Sequence, residues 1–128
     1  MIRMDKNQIR HIFTRLGLSV IFIAFGIWEI LQPLYWVSFV PTQLGGILSS
    51  SLLVTVHGSV LLIVGLAVLL GFYLRIAAFL SILIMFEILI TLIIVSGFSD
   101  LIIRDIVVLF LAIALFYDDT RYYTLNKN

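Results

Sequence analysis

Five titratable side chains interrupt the apolar stretches of this sequence: Glu29, His57, Glu87, Arg104 and Asp105. Carboxylates and imidazole exchange protons, whereas a guanidinium or an imidazole N–H donates hydrogen bonds to a carbonyl group. A charged group at the centre of a bilayer costs about 2.5–3.5 kcal/mol on insertion scales, so such groups normally face a partner or water inside a bundle. We therefore expect Glu87 and Asp105 to act as a proton relay. We expect His57, Arg104 and Glu29 to bind a ligand.

The charges of these five side chains do not balance, because three carboxylates face one guanidinium and one imidazole. We expect Arg104 to be the counter-ion that allows Glu29 or Glu87 to lie in lipid. Asp105 then either neutralises Arg104 or takes part in a proton or ligand site. Asp100 and Arg104 are spaced i,i+4 and can also pair along one helix face. The structural alternatives are interfacial solvation of Glu29, hydrogen-bonded packing of His57 and a helix start at Asp100.

The residue types that are missing exclude several kinds of site. The chain has no cysteine, which excludes disulfide exchange, thiolate metal sites, iron–sulfur ligation and covalent haem attachment. Its two histidines, His11 and His57, are too few and too far apart for an obvious metal site. The formal net charge of +1 gives no basic field for nucleic acid. We expect no metal, no covalently bound cofactor and no nucleic-acid partner.

The composition indicates a membrane protein. Of the 128 residues, 62% are hydrophobic and 12% are charged, and the mean hydropathy is +1.21. A soluble domain is about half apolar and about a quarter charged. A helix needs about 20 apolar residues to cross the hydrocarbon core, and candidate spans lie at about 12–34, 47–70, 74–96 and 101–117. We therefore predict an all-α membrane protein, with residues 1–128 forming one domain and a four-helix transmembrane bundle.

The positions of lysine and arginine predict how the bundle is oriented. Seven of the eight cations precede or open the first span, lie between the second and third spans, or follow the fourth. Because cytoplasmic loops are enriched in these residues, we expect both termini in the cytoplasm and the protein in the cell membrane. No small-residue cleavage site follows the first apolar run, so we expect that span to be retained. In this orientation the five titratable side chains share the outer half of the bilayer.

The connection between the first two spans is uncharged and aromatic, with Tyr35, Trp36 and Phe39 close together. Tryptophan and tyrosine prefer the headgroup layer of a membrane. We therefore predict a short interfacial helix or a re-entrant loop at this position.

Small residues recur along the second span, where Ser51, Thr55 and Ser59 are spaced by four and Gly58 and Gly65 by seven. Small side chains let membrane helices approach closely and hydrogen-bond across their contact. This pattern predicts compact helix packing rather than a reaction.

Three stretches of the sequence resemble DoxX-like membrane proteins. RLGLSVIFIAFGIWEILQPLYWVSFVPTQL is similar to the opening of that family, and HGSVLLIVGLAVLLGFYLRIAAFLSIL to its second helix and the turn into the third. GFSDLIIRDIVVLFLAIALF resembles the start of the fourth helix in one branch. The resemblance covers about residues 13–117 and implies a four-helix bundle in the cytoplasmic membrane. The chain departs from the family pattern at Glu29, where a lysine is expected, at Ser59–Val60, where a glutamate is common, and at Glu87.

The resemblance also implies a link to quinones, because the founding relatives take part in quinone-coupled oxidation of sulfur compounds. On this interpretation the chain is a quinone-binding membrane subunit of an oxidoreductase. His57 and Arg104 would donate hydrogen bonds to a quinone carbonyl, and Glu87 and Asp105 would deliver protons. Electrons would come from a partner subunit, since the chain has no ligands for haem or clusters.

Two other interpretations stay open at this point. The chain can be a non-enzymatic assembly, scaffold or lipid-binding protein, in which the polar cluster locks the bundle and the aromatic connection docks a partner. That partner would be another membrane subunit or a second copy of the chain. The third interpretation is a small proton-coupled transporter, which ranks last because Glu29 is too near the outer end of its span.

Overall fold

The computed structural model describes residues 5–40 and 50–118, and these ranges contain helices and turns but no strand. In chain order the helices are α1 (Lys6–Leu31), the short α2 (Pro33–Trp36), α3 (Ser50–Leu70), α4 (Leu74–Ser96) and α5 (Asp100–Phe116). A 3-10 turn, Val37–Phe39, follows α2 directly. The predicted all-α fold is confirmed.

Three of these helices, α1, α3 and α4, are long and apolar enough to cross a membrane, so the chain is a multi-pass membrane protein. The 23 residues of α4 extend about 35 Å, against about 30 Å for a hydrocarbon core. Helix α5 is also apolar, but its 17 residues extend only about 26 Å.

The observed helix ends follow local capping signals. Helix α1 begins six residues before the span predicted at 12, because Asp5 and Gln8 form a capping box. In it the Gln8 amide donates to Asp5 Oδ1 at 2.8 Å, and the Asp5 amide donates to Gln8 Oε1 at 3.0 Å. The helix ends at Leu31 rather than 34, since a residue that precedes proline, here Gln32, disfavours helical geometry.

The other predicted spans agree closely with the helices. The third span, predicted at 74–96, coincides with α4, and the fourth, predicted at 101–117, corresponds to α5. The start of the second span, predicted at 47, lies outside the described residues. The connection after α1 folds into the short helix and 3-10 turn at Pro33–Phe39, and its remainder, residues 41–49, is not described.

Tight turns make α3, α4 and α5 sequential antiparallel neighbours. Gly71 (φ 72°) and Tyr73 (φ 45°) adopt left-handed backbone conformations between α3 and α4, and Gly97 (φ 67°) does so between α4 and α5. We call the end of the bundle at Gly71–Tyr73 the turn end. The opposite end, at Pro33–Phe39, is the connector end.

The four long helices form two closely packed pairs. Helix α1 packs along α3, and α4 packs along α5, with fewer contacts between the pairs. Gly26 and Gly58 allow the first pair to approach, because a Cβ atom on Gly26 would lie 2.7 Å from the Leu62 nitrogen and 2.8 Å from the Gly58 oxygen. Gly65 also lies in this contact, so the two glycines of the predicted small-residue pattern meet α1. The hydroxyls of Thr55 and Ser59 instead donate to the Ser51 and Thr55 oxygens of α3 itself.

Candidate functional site

The imidazole of His57 lies between two carboxylates that come from different helices. Its Nδ1 is 2.8 Å from Glu29 Oε1 on α1, and its Nε2 is 2.9 Å from Glu87 Oε2 on α4. We call these three residues the carboxylate–imidazole cluster. It joins α1, α3 and α4 near the connector end, and it brings together three of the five residues singled out in the sequence.

The close contact of α1 with α3 positions the first half of this cluster. Gly58 directly follows His57, and a Cβ atom on Gly58 would lie 2.7 Å from Glu29 Cβ and 2.9 Å from the Gly26 oxygen. A larger side chain at either glycine would push the helices apart and lengthen the Glu29–His57 hydrogen bond. The glycines therefore serve the cluster as well as the packing.

The cluster has the geometry of a shared proton. A neutral imidazole carries one N–H, so hydrogen bonds at both nitrogens require a protonated imidazole or a protonated carboxyl beside a neutral one. In either case two carboxylates and one imidazole carry one more negative than positive charge. The Glu29 side chain is 10% exposed and that of Glu87 is 52% exposed, so the chain of hydrogen bonds runs from a buried acid to an accessible one.

Arg104 and Asp105 form a separate pair on α5. Arg104 Nε donates to Asp105 Oδ1 at 3.0 Å, and Asp105 is 3% exposed. The guanidinium carbon of Arg104 also lies 5.0 Å from the ring centroid of Phe25 on α1, in a cation–π contact. The Arg104 side chain is therefore directed toward the adjacent Asp105. The buried Asp105 carboxylate needs a counter-ion because it is removed from water.

This pairing differs from the prediction that Arg104 is the counter-ion of Glu29 or Glu87. In the structure His57, and not Arg104, is the partner of both Glu29 and Glu87. Arg104 pairs with Asp105 rather than with Asp100. Asp100 Oδ1 instead accepts from the Leu101 amide at 3.1 Å. The prediction favoured Arg104 because arginine is always charged, whereas the partner of an acid depends on which helix faces meet.

A cavity of about 690 Å³ adjoins both polar groups. This volume lies within the range of about 300–1,000 Å³ that is typical of small-molecule sites. Its walls come from α1, α2, α3, α4, α5 and the 3-10 turn, and they are mostly aliphatic or aromatic. All five residues singled out in the sequence line it: Glu29, His57, Glu87, Arg104 and Asp105.

An aromatic cluster forms the wall at the connector end. It consists of Phe25, Trp28, Tyr35, Trp36 and Phe39, whose contacting rings have centroids 5.0–5.8 Å apart. Trp28 donates its indole N–H to Gln32 Oε1 at 2.9 Å. The indole nitrogen of Trp36 is also buried, and within the described part of the chain it has no acceptor. Trp36 thus lines the cavity with a buried indole N–H that has no acceptor among the described residues.

A second polar cluster, which the sequence analysis did not predict, lies at the turn end. His11 Nδ1 is 2.9 Å from Asp118 Oδ2, and Arg15 Nη1 is 3.5 Å from His11 Nε2. Arg15 also donates from Nε to the Val68 oxygen at 3.1 Å and from Nη2 to the Leu69 oxygen at 2.9 Å. We call His11, Arg15 and Asp118 the turn-end cluster. The i,i+4 spacing of His11 and Arg15 was the available signal, but the cations at the start of the first span were used only to predict the orientation.

Neither cluster provides a metal centre. Across residues 5–40 and 50–118, no three histidine, aspartate or glutamate side chains are grouped so that they could hold a metal ion. Both nitrogens of His57 already face carboxylate oxygens. The groups that line the cavity are suited to hydrogen bonding and proton exchange.

Comparisons of the chain with protein-family models, with curated proteins and with solved structures find no match. A function must therefore be argued from the residues and their geometry.

Proposed function

We propose that the protein is a four-span bundle of the cell membrane that binds a quinone in the connector-end cavity, as the membrane subunit of an oxidoreductase. The supporting observation is an apolar cavity of about 690 Å³ that adjoins a hydrogen-bonded Glu29–His57–Glu87 cluster. The resemblance to DoxX-like proteins agrees with this proposal and stays a prediction.

The charge distribution supports the topology. Lys6, Arg10 and Arg15 lie in the first turns of α1 and Arg75 in the first turn of α4, so all four are near the turn end. The rule that cytoplasmic loops are rich in lysine and arginine then places the turn end in the cytoplasm and the connector end outside. Helix α5 is the fourth span, and its 17 residues suffice where the bilayer thins or where its flanking residues reach the interface.

The cavity has the donors that a quinone requires. Quinone carbonyls accept hydrogen bonds, and two residues of the cavity wall carry N–H donors: Trp36, whose buried indole N–H has no acceptor among the described residues, and Arg104 with its guanidinium. Arginine has five N–H donors, of which the bond to Asp105 uses one. The aromatic rings around them provide faces for stacking.

The carboxylate–imidazole cluster provides the proton chemistry. Reduction of a quinone to a quinol takes up two electrons and two protons. The cluster holds one shared proton, so the two protons are delivered in succession. Glu87, the accessible acid, passes the shared proton to one quinone oxygen, takes up a proton from water at the connector end and passes it to the other oxygen, and His57 and Glu29 share the proton between the two transfers. The electrons come from a redox centre in a partner subunit, because this sequence has no cysteine for a cluster or a covalent haem.

Quinone binding can be measured from the two native tryptophans, because Trp28 and Trp36 both line the cavity. Wild-type protein in lipid nanodiscs, titrated with decylubiquinone, should show saturable quenching of tryptophan fluorescence. The Trp36→Phe variant keeps an aromatic ring but loses the unsatisfied donor. We expect it to weaken binding about three- to tenfold, the value of one hydrogen bond of about 0.5–1.5 kcal/mol.

The matched control is Trp28→Phe, since the Trp28 donor is already satisfied by Gln32. Each variant keeps one tryptophan as the reporter. Equal affinities of the two variants, or quenching that does not saturate in the wild type, would contradict the proposal.

The cluster also supports a second candidate, a non-enzymatic bundle in which the polar groups act as a lock. The observation in its favour is that His57 ties α1, α3 and α4 together through side chains alone. A lock predicts that His57→Leu, which removes both hydrogen bonds, lowers the thermal unfolding temperature strongly and that wild-type protein binds no quinone. The quinone proposal predicts a folded variant with impaired binding.

A further inference from the structure

The two helix pairs of the bundle meet along two seams, and the cavity lies between them. One seam runs between α1 and α5, and the other runs between α3 and α4. Arg104 of α5 bridges the first seam by its contact with the ring of Phe25 on α1, at 5.0 Å. The 2.9 Å hydrogen bond from His57 to Glu87 bridges the second.

Several residues at the α3–α4 seam contact both the cavity and the surroundings of the bundle. Val56 and Val60 of α3 and Leu83 of α4 line the cavity, yet they are 52%, 42% and 50% exposed on the surface of the bundle. Residues that contact both the cavity and the surroundings mark an opening. At the α1–α5 seam, the lining residues of α5 are buried or half-buried apart from Arg104.

The opening is confined to the connector-end half of the seam. The cavity-lining residues of α3 fall between 53 and 61, and those of α4 between 83 and 92. At the turn end the same helices are joined by the short Gly71–Tyr73 turn, and Val68, Leu74, Ala77 and Ala78 are buried there. The cavity thus adjoins only the connector-end part of this seam, where the His57–Glu87 hydrogen bond joins the two helices.

The geometry points to a lateral portal between α3 and α4, rimmed by Val56, Val60 and Leu83 and closed by the His57–Glu87 hydrogen bond, through which a lipophilic ligand passes from the bilayer. This inference rests on the proposed function, because it names the route by which a quinone reaches its site. The apolar side chains of Val56, Val60 and Leu83 suit a molecule dissolved in lipid, since contact with them removes no polar group from water. Glu87, whose side chain is 52% exposed, is the polar group at this opening.

The closing contact couples access to proton exchange. A ligand that passes the portal breaks the hydrogen bond between Glu87 and His57. Glu87 is then both the group that moves to open the portal and the acid that donates the proton. Thr91 keeps a second contact with Glu87, since its Oγ1 lies 3.4 Å from Glu87 Oε1 on the same helix. The open position of Glu87 therefore stays on the α4 side of the portal.

The portal can be tested by narrowing it with the double variant Val56→Phe/Leu83→Phe. The matched control is Ile63→Phe/Ile76→Phe, because each control residue is seven positions nearer the turn end of the same helix, is exposed and does not line the cavity. Stopped-flow quenching with decylubiquinone should show association and dissociation slowed together by about tenfold in the portal variant, with the dissociation constant changed less than about threefold. The control should match the wild type. Portal-variant rates equal to those of the control, or a faster dissociation alone, overturn the inference.

A second measurement separates the portal from the identity of the ligand. The chain has no native cysteine, so Ile84→Cys places a single thiol in the half-buried cavity wall. N-ethylmaleimide, which dissolves in the bilayer, should label this thiol about tenfold more slowly when Val56→Phe/Leu83→Phe is added, but not when the control pair is added. If the portal substitutions slow the labelling but the wild type binds no quinone, the portal is supported and the quinone proposal is rejected. If the portal substitutions do not slow the labelling, the portal is rejected whether or not the wild type binds quinone.

Discussion

The molecule has two polar clusters built around a histidine, and they differ in what they bind. At the turn end, Arg15 donates to the main-chain oxygens of Val68 and Leu69, and His11 is fully buried. At the connector end, His57 contacts only side chains, and its own side chain is 30% exposed beside a cavity. The turn-end cluster therefore donates hydrogen bonds to the backbone of α3, whereas the carboxylate–imidazole cluster leaves polar groups accessible.

This difference indicates which cluster stabilises the fold and which is available for a ligand. The last four carbonyl groups of a helix have no partner within it, and in a membrane protein few waters replace one. Arg15 supplies two such partners to α3 from α1. The carboxylate–imidazole cluster satisfies no backbone group, so its loss leaves the helices with their hydrogen bonds intact.

The largest expected effect follows from removing the turn-end arginine. In Arg15→Ala the Leu69 oxygen loses the Arg15 donor and the Val68 oxygen keeps only the bond from the Gly71 amide, and we expect unfolding in detergent to be easier by about 2–4 kcal/mol. Thermal unfolding followed by circular dichroism measures this loss. Arg10→Ala, at an exposed position one turn earlier, is the control and should differ little from the wild type. An Arg15→Ala variant as stable as the control would remove the distinction between the clusters.

Crowding at the α1–α3 contact should have the next largest effect. Gly58→Ala places a Cβ atom 2.7 Å from Glu29 Cβ and 2.9 Å from the Gly26 oxygen, so the helices must separate. We expect a loss of about 1–3 kcal/mol, the usual cost of overpacking, together with weaker quinone binding. Gly17→Ala is the control, because its Cβ would meet nothing nearer than 3.7 Å. If Gly58→Ala and Gly17→Ala stabilise the protein equally, the close approach of α1 to α3 does not position the carboxylate–imidazole cluster.

Removing the α5 cation should give an intermediate effect. Arg104→Ala leaves the buried carboxylate of Asp105 without its counter-ion, and we expect about 1–2 kcal/mol of lost stability or lower expression in membranes. The double variant Arg104→Ala/Asp105→Ala removes both charges and should recover part of this loss. No recovery in the double variant would show that the guanidinium acts mainly through its contact with Phe25.

The smallest effect on stability is expected for Glu87→Gln. The amide keeps the shape and a hydrogen bond to His57, so the unfolding free energy should change by less than about 1 kcal/mol. Glutamine cannot donate an acid proton, and the proton exchange linked to quinone binding should be lost. The rate of proton uptake, followed with a pH indicator after dithionite reduces the bound quinone, tests this, and a rate equal to that of the wild type would exclude Glu87 as the donor.

The helices themselves were largely predictable. The third span was placed at 74–96, where α4 lies, because apolar length and the glycines at 71 and 97 both mark its ends. The first span was placed six residues too late at its start, since the polar turn after Asp5 is stabilised by a capping box rather than by apolar residues. The aromatic connection was expected to form a short interfacial helix or a re-entrant loop, and the structure has a short helix there, α2.

The partners of the charged side chains were less predictable. The sequence analysis placed Glu29, His57, Glu87, Arg104 and Asp105 at a similar depth, and all five do line one cavity. It assigned the central role to Arg104, whereas His57 holds Glu29 and Glu87. The turn-end cluster was not predicted, because its partners Val68, Leu69 and Asp118 lie far from His11 and Arg15 in the sequence.

The amino-acid order was enough to specify the apolar helices and most of their ends, because a backbone in lipid satisfies its hydrogen bonds within each helix and needs no distant partner. Which polar groups meet was decided by tertiary packing. Successive residues on a helix point about 100° apart, so partners depend on how each helix is rotated and how closely it approaches its neighbour. At the Gly26–Gly58 contact that approach brings an imidazole, and not the expected guanidinium, to the two glutamates.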